Sequence, residues 1–339
     1  MRTTTVLFLW KVPESLQTRL QQRLSQLPHL NLVFPKEADE SEFLKHAPSA
    51  QIIVGWRPSL EVLECATKLK LFIFPGAGVQ HLVSWFHEVG RHRGITLVNG
   101  HSNAIFVAQH VVAMLLAILN NIIPHHNWMV AGEWHKGDAD AKNMPMSGRV
   151  IGLLGYGAIN QKVHKLLSGF DVTFAALRRN WEGQDSSPPT PIQRYTSSQL
   201  NEFLDEVDTL LIALPLTPKT DDLIGYNELK RLGKNGVVVN VARGAIVNQK
   251  ALYQILKERE IAGAAIDVWY TYQPEPDENG RKYPYEKPFH TLDNILLSPH
   301  HAASPFDDLD RWDEVIDNIT RFAKGERDFI NVVDVERGY

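Results

Sequence analysis

The run Val150-Ile151-Gly152-Leu153-Leu154-Gly155-Tyr156-Gly157-Ala158-Ile159 carries the clearest chemical signal in the chain. An apolar stretch leads into a Gly155-Tyr156-Gly157 turn, and a segment with helical spacing opens at Ala158. Such a corner suits the pyrophosphate of a dinucleotide. Gly155 permits the tight turn, Gly157 lets backbone come close, and the first N–H groups of the helix, from Ala158 and Ile159 onward, point at the anion. Asn160 stands where a third glycine would let helix pack closely on strand, so the turn alone is also compatible with an ordinary strand-to-helix corner. A second feature lies roughly 20 residues on, where a carboxylate would grip the ribose 2′-hydroxyl of NAD. The sequence reads Ala175-Ala176-Leu177-Arg178-Arg179 there, and Asp171 sits at the start of the expected strand, Val172 to Ala176, instead of its end. Two guanidinium groups suit a 2′-phosphate, because arginine presents paired donors to phosphate oxygens. NADP is therefore the expected cofactor, with NAD possible, against the alternative of two solvated surface arginines.

A nucleotide turn of this kind needs a parallel sheet behind it. Short apolar or β-branched runs recur at Thr5 to Leu9, Gln51 to Gly55, Leu71 to Pro75 and Ile95 to Val98, separated by helical spacing at Pro13 to Leu27 and Ser59 to Lys68. A second array has runs near Val150 to Leu154, Val172 to Ala176, Thr209 to Leu214, Val237 to Val241, Ala264 to Asp267 and Ile295 to Ser298. This alternation predicts an α/β protein of two Rossmann-like, doubly wound parallel-sheet domains with a cleft between them, ligands lying at the carboxyl ends of the strands. Between the arrays, Ala104 to Ile123 is apolar on most faces and reads as one buried helix, either of the core or passing between domains or into a partner subunit. Gln184 to Gln193 and Gln273 to Pro288 read as surface loops, and Pro305 to Gly325 as a helical segment able to return to the first domain.

Composition agrees with this division. At 339 residues and 44% hydrophobic content the chain exceeds the roughly 250 to 300 residues beyond which one core usually splits. A formal charge of -4 gives no basic footprint, so neither nucleic acid nor a membrane surface is an expected partner. Cys65 is the only cysteine, no uncharged apolar span reaches about 20 residues, and Met1 to Trp10 reads as a strand, which together suggest a soluble cytoplasmic protein. His87 with His92, and His125 with His126, lack the spacing and carboxylates of a zinc site, so no metal is expected. No serine or cysteine lies in a nucleophile's motif.

Further segments extend the pattern. Leu69-Lys70-Leu71 leads to Gly76-Ala77-Gly78, followed by Val107-Ala108-Gln109-His110, then Leu214-Pro215-Leu216-Thr217 with Thr220, Val239-Asn240-Val241-Ala242-Arg243-Gly244 and Leu297-Ser298-Pro299-His300. With the glycine turn, and in this order, they resemble the D-isomer-specific 2-hydroxyacid dehydrogenase family over nearly the whole chain. That family includes glyoxylate/hydroxypyruvate reductases and formate dehydrogenase. The resemblance implies a flavodoxin-like substrate domain formed by residues 1–102 with 303–339, a dinucleotide domain over 103–302, and a homodimer. It implies that Arg243 clamps the carboxylate of a small 2-keto acid and polarises its carbonyl, a task for a permanent charge with forked donors. His300 would exchange a proton with the carbonyl oxygen. Backbone N–H groups at Ala77 and Gly78 would hold the carboxylate. Pro215, Thr220, Val241 and Ala242 would line the cofactor, and Asp267 would accept from the nicotinamide carboxamide. Trp134, after Gly132-Glu133, resembles a packing position of the family.

One position departs from the family. The glutamate that pairs with the histidine is expected five residues after Asp267, where Tyr272 stands. A one-residue insertion would bring Gln273-Pro274 into place, as in formate dehydrogenase, and Asn103, seven residues before His110, matches an asparagine that formate dehydrogenase uses on its substrate. A longer insertion would place Glu275-Pro276 there. Reducing a 2-keto acid takes a hydride and a proton, whereas formate gives up a hydride alone. The chain lacks the Pro-Phe segment of formate dehydrogenase near Gln51 to Leu60, which favours 2-keto acid reduction. The alternatives are formate-type hydride abstraction, or a nucleotide-sensing protein that binds the cofactor without turnover.

Overall fold

The computed structural model describes residues 3–134, 142–182, 187–303 and 308–339. The start of the loop expected from Gln184, the start of the segment expected from Pro305, and Met1 with Arg2 lie outside the described residues. The chain forms two compact units, Met1–Asn103 with Phe306–Tyr339, and Ala104–Pro305.

The first unit is built on five parallel strands, β1 (Thr4–Phe8), β2 (Leu30–Val33), β3 (Ile52–Val54), β4 (Leu71–Phe74) and β5 (Thr96–Asn99), in the order β2-β1-β3-β4-β5. This is the flavodoxin-like order, with its switch point between β1 and β3. Helices cover both faces, so the central strands are buried throughout and read as continuous apolar runs: Val6, Leu7, Phe8, Ile52, Ile53 and Val54 are all inaccessible. The helix Asp313–Ala323 lays Val315, Ile316 and Ile319 on one of these faces beside Val54 and Ile73. Sequence spacing did not reveal β2. It is a four-residue edge strand, only half buried, whose pattern Leu-Asn-Leu-Val is too short to show a period.

The second unit carries seven parallel strands, β6 (Val150–Leu154), β7 (Thr173–Leu177), β8 (Gln193–Tyr195), β9 (Thr209–Ile212), β10 (Val237–Asn240), β11 (Gly263–Ile266) and β12 (Ile295–Leu297). Their order is β12-β11-β10-β9-β6-β7-β8. That is the dinucleotide-binding order with one strand added, and its switch point falls between β6 and β9, beside the glycine turn. Two corrections apply. The three-residue β8, Gln-Arg-Tyr, which the sequence reading did not mark, begins at the last residue of the expected loop, because pairing with β7 supplies what its own polarity does not. The helix expected over Ala104 to Ile123 ends at Leu119 and a second one, Ile122–Val130, leaves at 65°. The break lies at Asn120 and Asn121. Asn120 donates its side-chain amide back to Leu116 O at 2.8 Å, and Asn121 takes a left-handed φ of +48°, a conformation asparagine tolerates.

Candidate functional site

β6 ends at Leu154, and Gly155 follows with φ +88°. A Cβ there would sit 2.5 Å from Ala213 O, so glycine is required by both backbone and space. Gly157 differs: a Cβ on it would meet no protein atom within 4 Å. The protein's own packing does not call for glycine at 157, whereas a pyrophosphate approaching the backbone does. The helix Ala158–Leu167 begins immediately after, so the N–H groups of its first turn, Ala158 and Ile159 among them, lack intrahelical acceptors. These residues fit a dinucleotide.

Asn160 replaces the missing glycine by a different means. It is 1% exposed, and its Nδ2 donates to Gly155 O at 2.7 Å and to Leu211 O at 3.2 Å, with Leu154 O at 3.4 Å. The side chain ties the helix to the ends of β6 and β9, at the expense of a buried Oδ1 with no donor.

Behind the turn, Tyr156 and His164 form a buried pair. The Tyr156 hydroxyl lies 2.9 Å from His164 Nδ1, and His164 Nε2 lies 2.8 Å from Thr190 Oγ1. Burial lowers the His164 pKa from 6.5 to about 4, because a fully enclosed ring resists charging. A histidine depressed in this way leaves stability intact above its unfolded pKa and withdraws it as pH falls toward the folded one. Between pH 6.5 and 4 we expect about 3 kcal/mol of unfolding free energy to be lost through this residue. Urea unfolding measured at several pH values checks this. The loss should shrink in His164→Gln, and an unchanged slope would exclude His164 as its source.

The end of β7 confirms that no carboxylate stands at Arg178 and Arg179; Asp171 precedes the strand, is exposed and accepts from Ser147 Oγ at 2.7 Å. Arg178 is half buried with its Cζ 6.0 Å from the Trp181 ring, and its Nη1 is buried without an acceptor. Arg179 is exposed.

After β9 the chain turns through Pro215 to Thr220. Thr220 Oγ1 donates to Pro215 O at 2.7 Å and accepts from Thr217 N at 2.8 Å, which locks the loop. After β10, Asn240 is 1% exposed and staples the next turn: its Oδ1 accepts from Ala242 N and its Nδ2 donates to Arg243 O, both at 3.0 Å. Val241 and Ala242 are buried, and Arg243 is half buried. A Cβ at Gly244 would lie 2.5 Å from the Trp269 carbonyl, so only glycine allows the Arg243 turn to pack on the strand end after β11. Burial lowers the Arg243 pKa and nearby Tyr272 opposes the shift.

Asp267 follows β11 and is 1% exposed. Its carboxylate accepts from Ser298 Oγ, from His301 N at 2.9 Å and from Ala302 N at 3.1 Å. His110 Nε2 reaches Ser298 Oγ at 3.1 Å and stands 3.7 Å from Asp267. The carboxylate that sequence assigned to the cofactor also receives these protein donors and so holds the loop after β12. Trp269 Nε1 adds a bond to Ser298 O at 2.8 Å. The loop so fixed carries His300 at φ +60°, a left-handed conformation that costs about 1–2 kcal/mol outside glycine and persists only where surroundings enforce it.

His300 Nδ1 lies 2.9 Å from the Tyr272 hydroxyl. Of the three residues left open by the sequence, Tyr272 is therefore the one bonded to the histidine; Gln273 and Glu275 are exposed and make no hydrogen bond to it. Crowding by protein atoms lowers the His300 pKa below 6.5 although the ring keeps solvent access, Asp267 opposes the shift, and the charges of Arg243 and His301 reinforce it. Arg243, Tyr272, His300 and Asp267 accordingly form one electrostatically coupled group in the second unit.

The other expected residues belong to the first unit. Ala77 is exposed and its carbonyl accepts from Asn99 Nδ2 at 2.8 Å, while Gly78 is half buried. Gly100 N donates to Gly76 O at 2.9 Å, joining the loop after β4 to the one after β5. Asn103 has a buried Oδ1 without a donor. Sequence reasoning passed over Asn240, Ser298 and His110 as bearers of the site. All three stood inside quoted motifs, but their roles depend on tertiary contacts.

Comparison with known proteins follows the same lines. Residues 112–302 match the family described as D-isomer specific 2-hydroxyacid dehydrogenase, NAD binding domain. The chain is 32% identical to D-3-phosphoglycerate dehydrogenase of Methanocaldococcus jannaschii over 78% of its own length and 48% of that protein, so it spans about half of that relative. It is 29% identical to glyoxylate reductase of Pyrococcus furiosus over 84% of this chain and 82% of the relative. In fold it is similar to the NADPH-dependent glyoxylate/hydroxypyruvate reductase of Sinorhizobium meliloti, solved with NADP and malonate, with a TM-score of 0.74 and 24% identity over 98% of each chain.

Proposed function

The chain belongs to the D-isomer-specific 2-hydroxyacid dehydrogenase family, and from that premise we propose that it is an NADPH-preferring reductase of small 2-keto acids, glyoxylate or hydroxypyruvate being the natural substrates. The observation that carries the reading is the coupled group of Arg243, Tyr272 and His300, in the same unit as a turn fitted to a dinucleotide. NADPH preference rests on Arg178 and on the missing carboxylate at the end of β7.

When bound, the cofactor supplies or accepts a hydride. The chain's residues do the rest. Arg243 presents a forked, permanent charge that holds the substrate carboxylate and draws electrons from the carbonyl. Ala77, Gly78 and Asn103 are assigned to the substrate on the first unit. His300 in its charged form gives the Nε2 proton to the carbonyl oxygen and keeps a proton on Nδ1, which then donates to Tyr272 Oη. A hydroxyl can accept from Nδ1–H or donate to bare Nδ1, so Tyr272 serves both protonation states, but it lends the imidazolium none of the stabilisation of a carboxylate. Incubation of purified protein with NADPH and a panel of 2-keto acids, with formate tried in the oxidative direction, tests the reading. NADPH consumption with a 2-keto acid is expected. Binding without turnover would leave a nucleotide sensor, and formate oxidation alone would indicate the second chemistry.

A homodimer is part of this reading. Ile122, Ile123, Met129, Val130 and Trp134 are about half exposed or more along and after the helix Ile122–Val130, a concentration of apolar surface unusual for a monomer. Sedimentation should give twice the chain mass, and a monomer at micromolar concentration would contradict it.

A further inference from the structure

β8 lies beside β7 with Arg194 opposite Ala176 and Tyr195 opposite Leu177. Side chains two apart on a strand share a face, so Arg194 on β8 and Arg178, two residues beyond Ala176, are directed to the same side of the sheet edge. Both converge on one ring. The Arg194 Cζ lies 5.0 Å and the Arg178 Cζ 6.0 Å from the Trp181 centroid. Trp181 is itself fixed: its Nε1 donates to Tyr195 O at 2.9 Å, and its ring lies 5.6 Å from that of Tyr156, which is anchored by the buried His164 and Thr190. Among the described residues no ion pair is made by Arg178 or Arg194, and Arg178 Nη1 is buried with no acceptor. Two like charges held over the same indole, with a desolvated donor unused, are unfavourable until an anion joins them.

We propose that Arg194 and Arg178, both held by the Trp181 ring, form one phosphate-binding subsite, and that Arg194 is a specificity-determining residue selecting a phosphate monoester on the adenosine ribose of the cofactor. The inference rests on the NADPH reading given above and adds to it a residue of the neighbouring strand. Arginine suits the position because its planar guanidinium lies against an aromatic face while its edge donates to phosphate oxygens.

Calorimetry with 2′,5′-ADP and 5′-AMP, which differ by the phosphate in question, tests this without turnover. Wild-type protein should bind 2′,5′-ADP more tightly, and Arg194→Gln should weaken that binding at least about tenfold while 5′-AMP binding changes less than twofold. Trp181→Leu should weaken 2′,5′-ADP binding with both arginines in place. Arg194 is exposed on an edge strand, so its variant should keep the wild-type melting temperature. If Arg178→Gln removes the preference for 2′,5′-ADP and Arg194→Gln does not, the role of Arg194 is overturned and the NADPH reading stands. If the wild type shows no preference, the NADPH reading itself fails.

Discussion

Arg243→Lys is expected to lower kcat/KM for 2-keto acid reduction by about a hundred- to a thousandfold, with NADPH affinity within twofold of wild type. The size of the effect follows from how the turn is built. Asn240 pins both the Ala242 N–H and the Arg243 carbonyl, and Gly244 lies against the Trp269 backbone, so the guanidinium is presented from a rigid base. Lysine keeps the charge but not the fork, and its single ammonium cannot hold a carboxylate and polarise a carbonyl in one plane. Most of the loss should fall on kcat, since polarisation strengthens as charge develops on the carbonyl oxygen. Steady-state kinetics with cofactor binding measured separately by fluorescence distinguishes the cases. A change of less than tenfold would remove Arg243 from the reaction.

The second large effect concerns pH. Crowding lowers the His300 pKa below 6.5 and Arg243 adds to it, so the imidazolium needed for reduction is a minor species at neutral pH. Reduction should therefore rise as pH falls toward that pKa, while oxidation, which uses the neutral ring as base, should be favoured at neutral pH and above. Tyr272→Glu places a carboxylate against Nδ1. A carboxylate at that distance raises a histidine pKa by about 1–3 units, so the alkaline limb of the reduction profile should move up by that amount and kcat at pH 7.5 should increase about tenfold or more. Tyr272→Phe should lower kcat without such a shift, and Gln273→Ala and Glu275→Gln should leave the profile in place. An unmoved profile in Tyr272→Glu would mean that His300 is not the titrating acid.

Much of the fold and of the site is legible in the sequence. The buried parallel strands announce themselves as apolar runs, and the glycine turn, the Arg243 turn and the His300 loop each sit in motifs with fixed order. What sequence could not show was settled by contacts distant along the chain. Asn160 looked like an obstacle to helix packing until its amide was found bonded to the carbonyls of Gly155 and Leu211. Asp267 carried a single expected role, yet its oxygens hold Ser298, His301 and Ala302. The partner of His300 was open among three residues because loop length between β11 and β12 does not fix register; the hydrogen bond chooses Tyr272. The strands β2 and β8 escaped notice because edge strands of three or four residues draw their stability from a neighbour. Likewise, the apolar run from Ala104 to Ile123 reads through Asn120 and Asn121, and the bend there depends on a left-handed Asn121 that residue type permits but does not dictate.

The central claim is that Arg243 and His300 serve hydride transfer to the carbonyl carbon of a 2-keto acid. The most direct measurement follows deuterium from NADPH labelled at nicotinamide C4 into the product formed from hydroxypyruvate. The account predicts a D-2-hydroxy acid carrying deuterium at C2, formed by the wild type and about a hundredfold or more slowly by Arg243→Lys. Absence of deuterium at C2, or NADPH bound and never oxidised by any 2-keto acid, would contradict it.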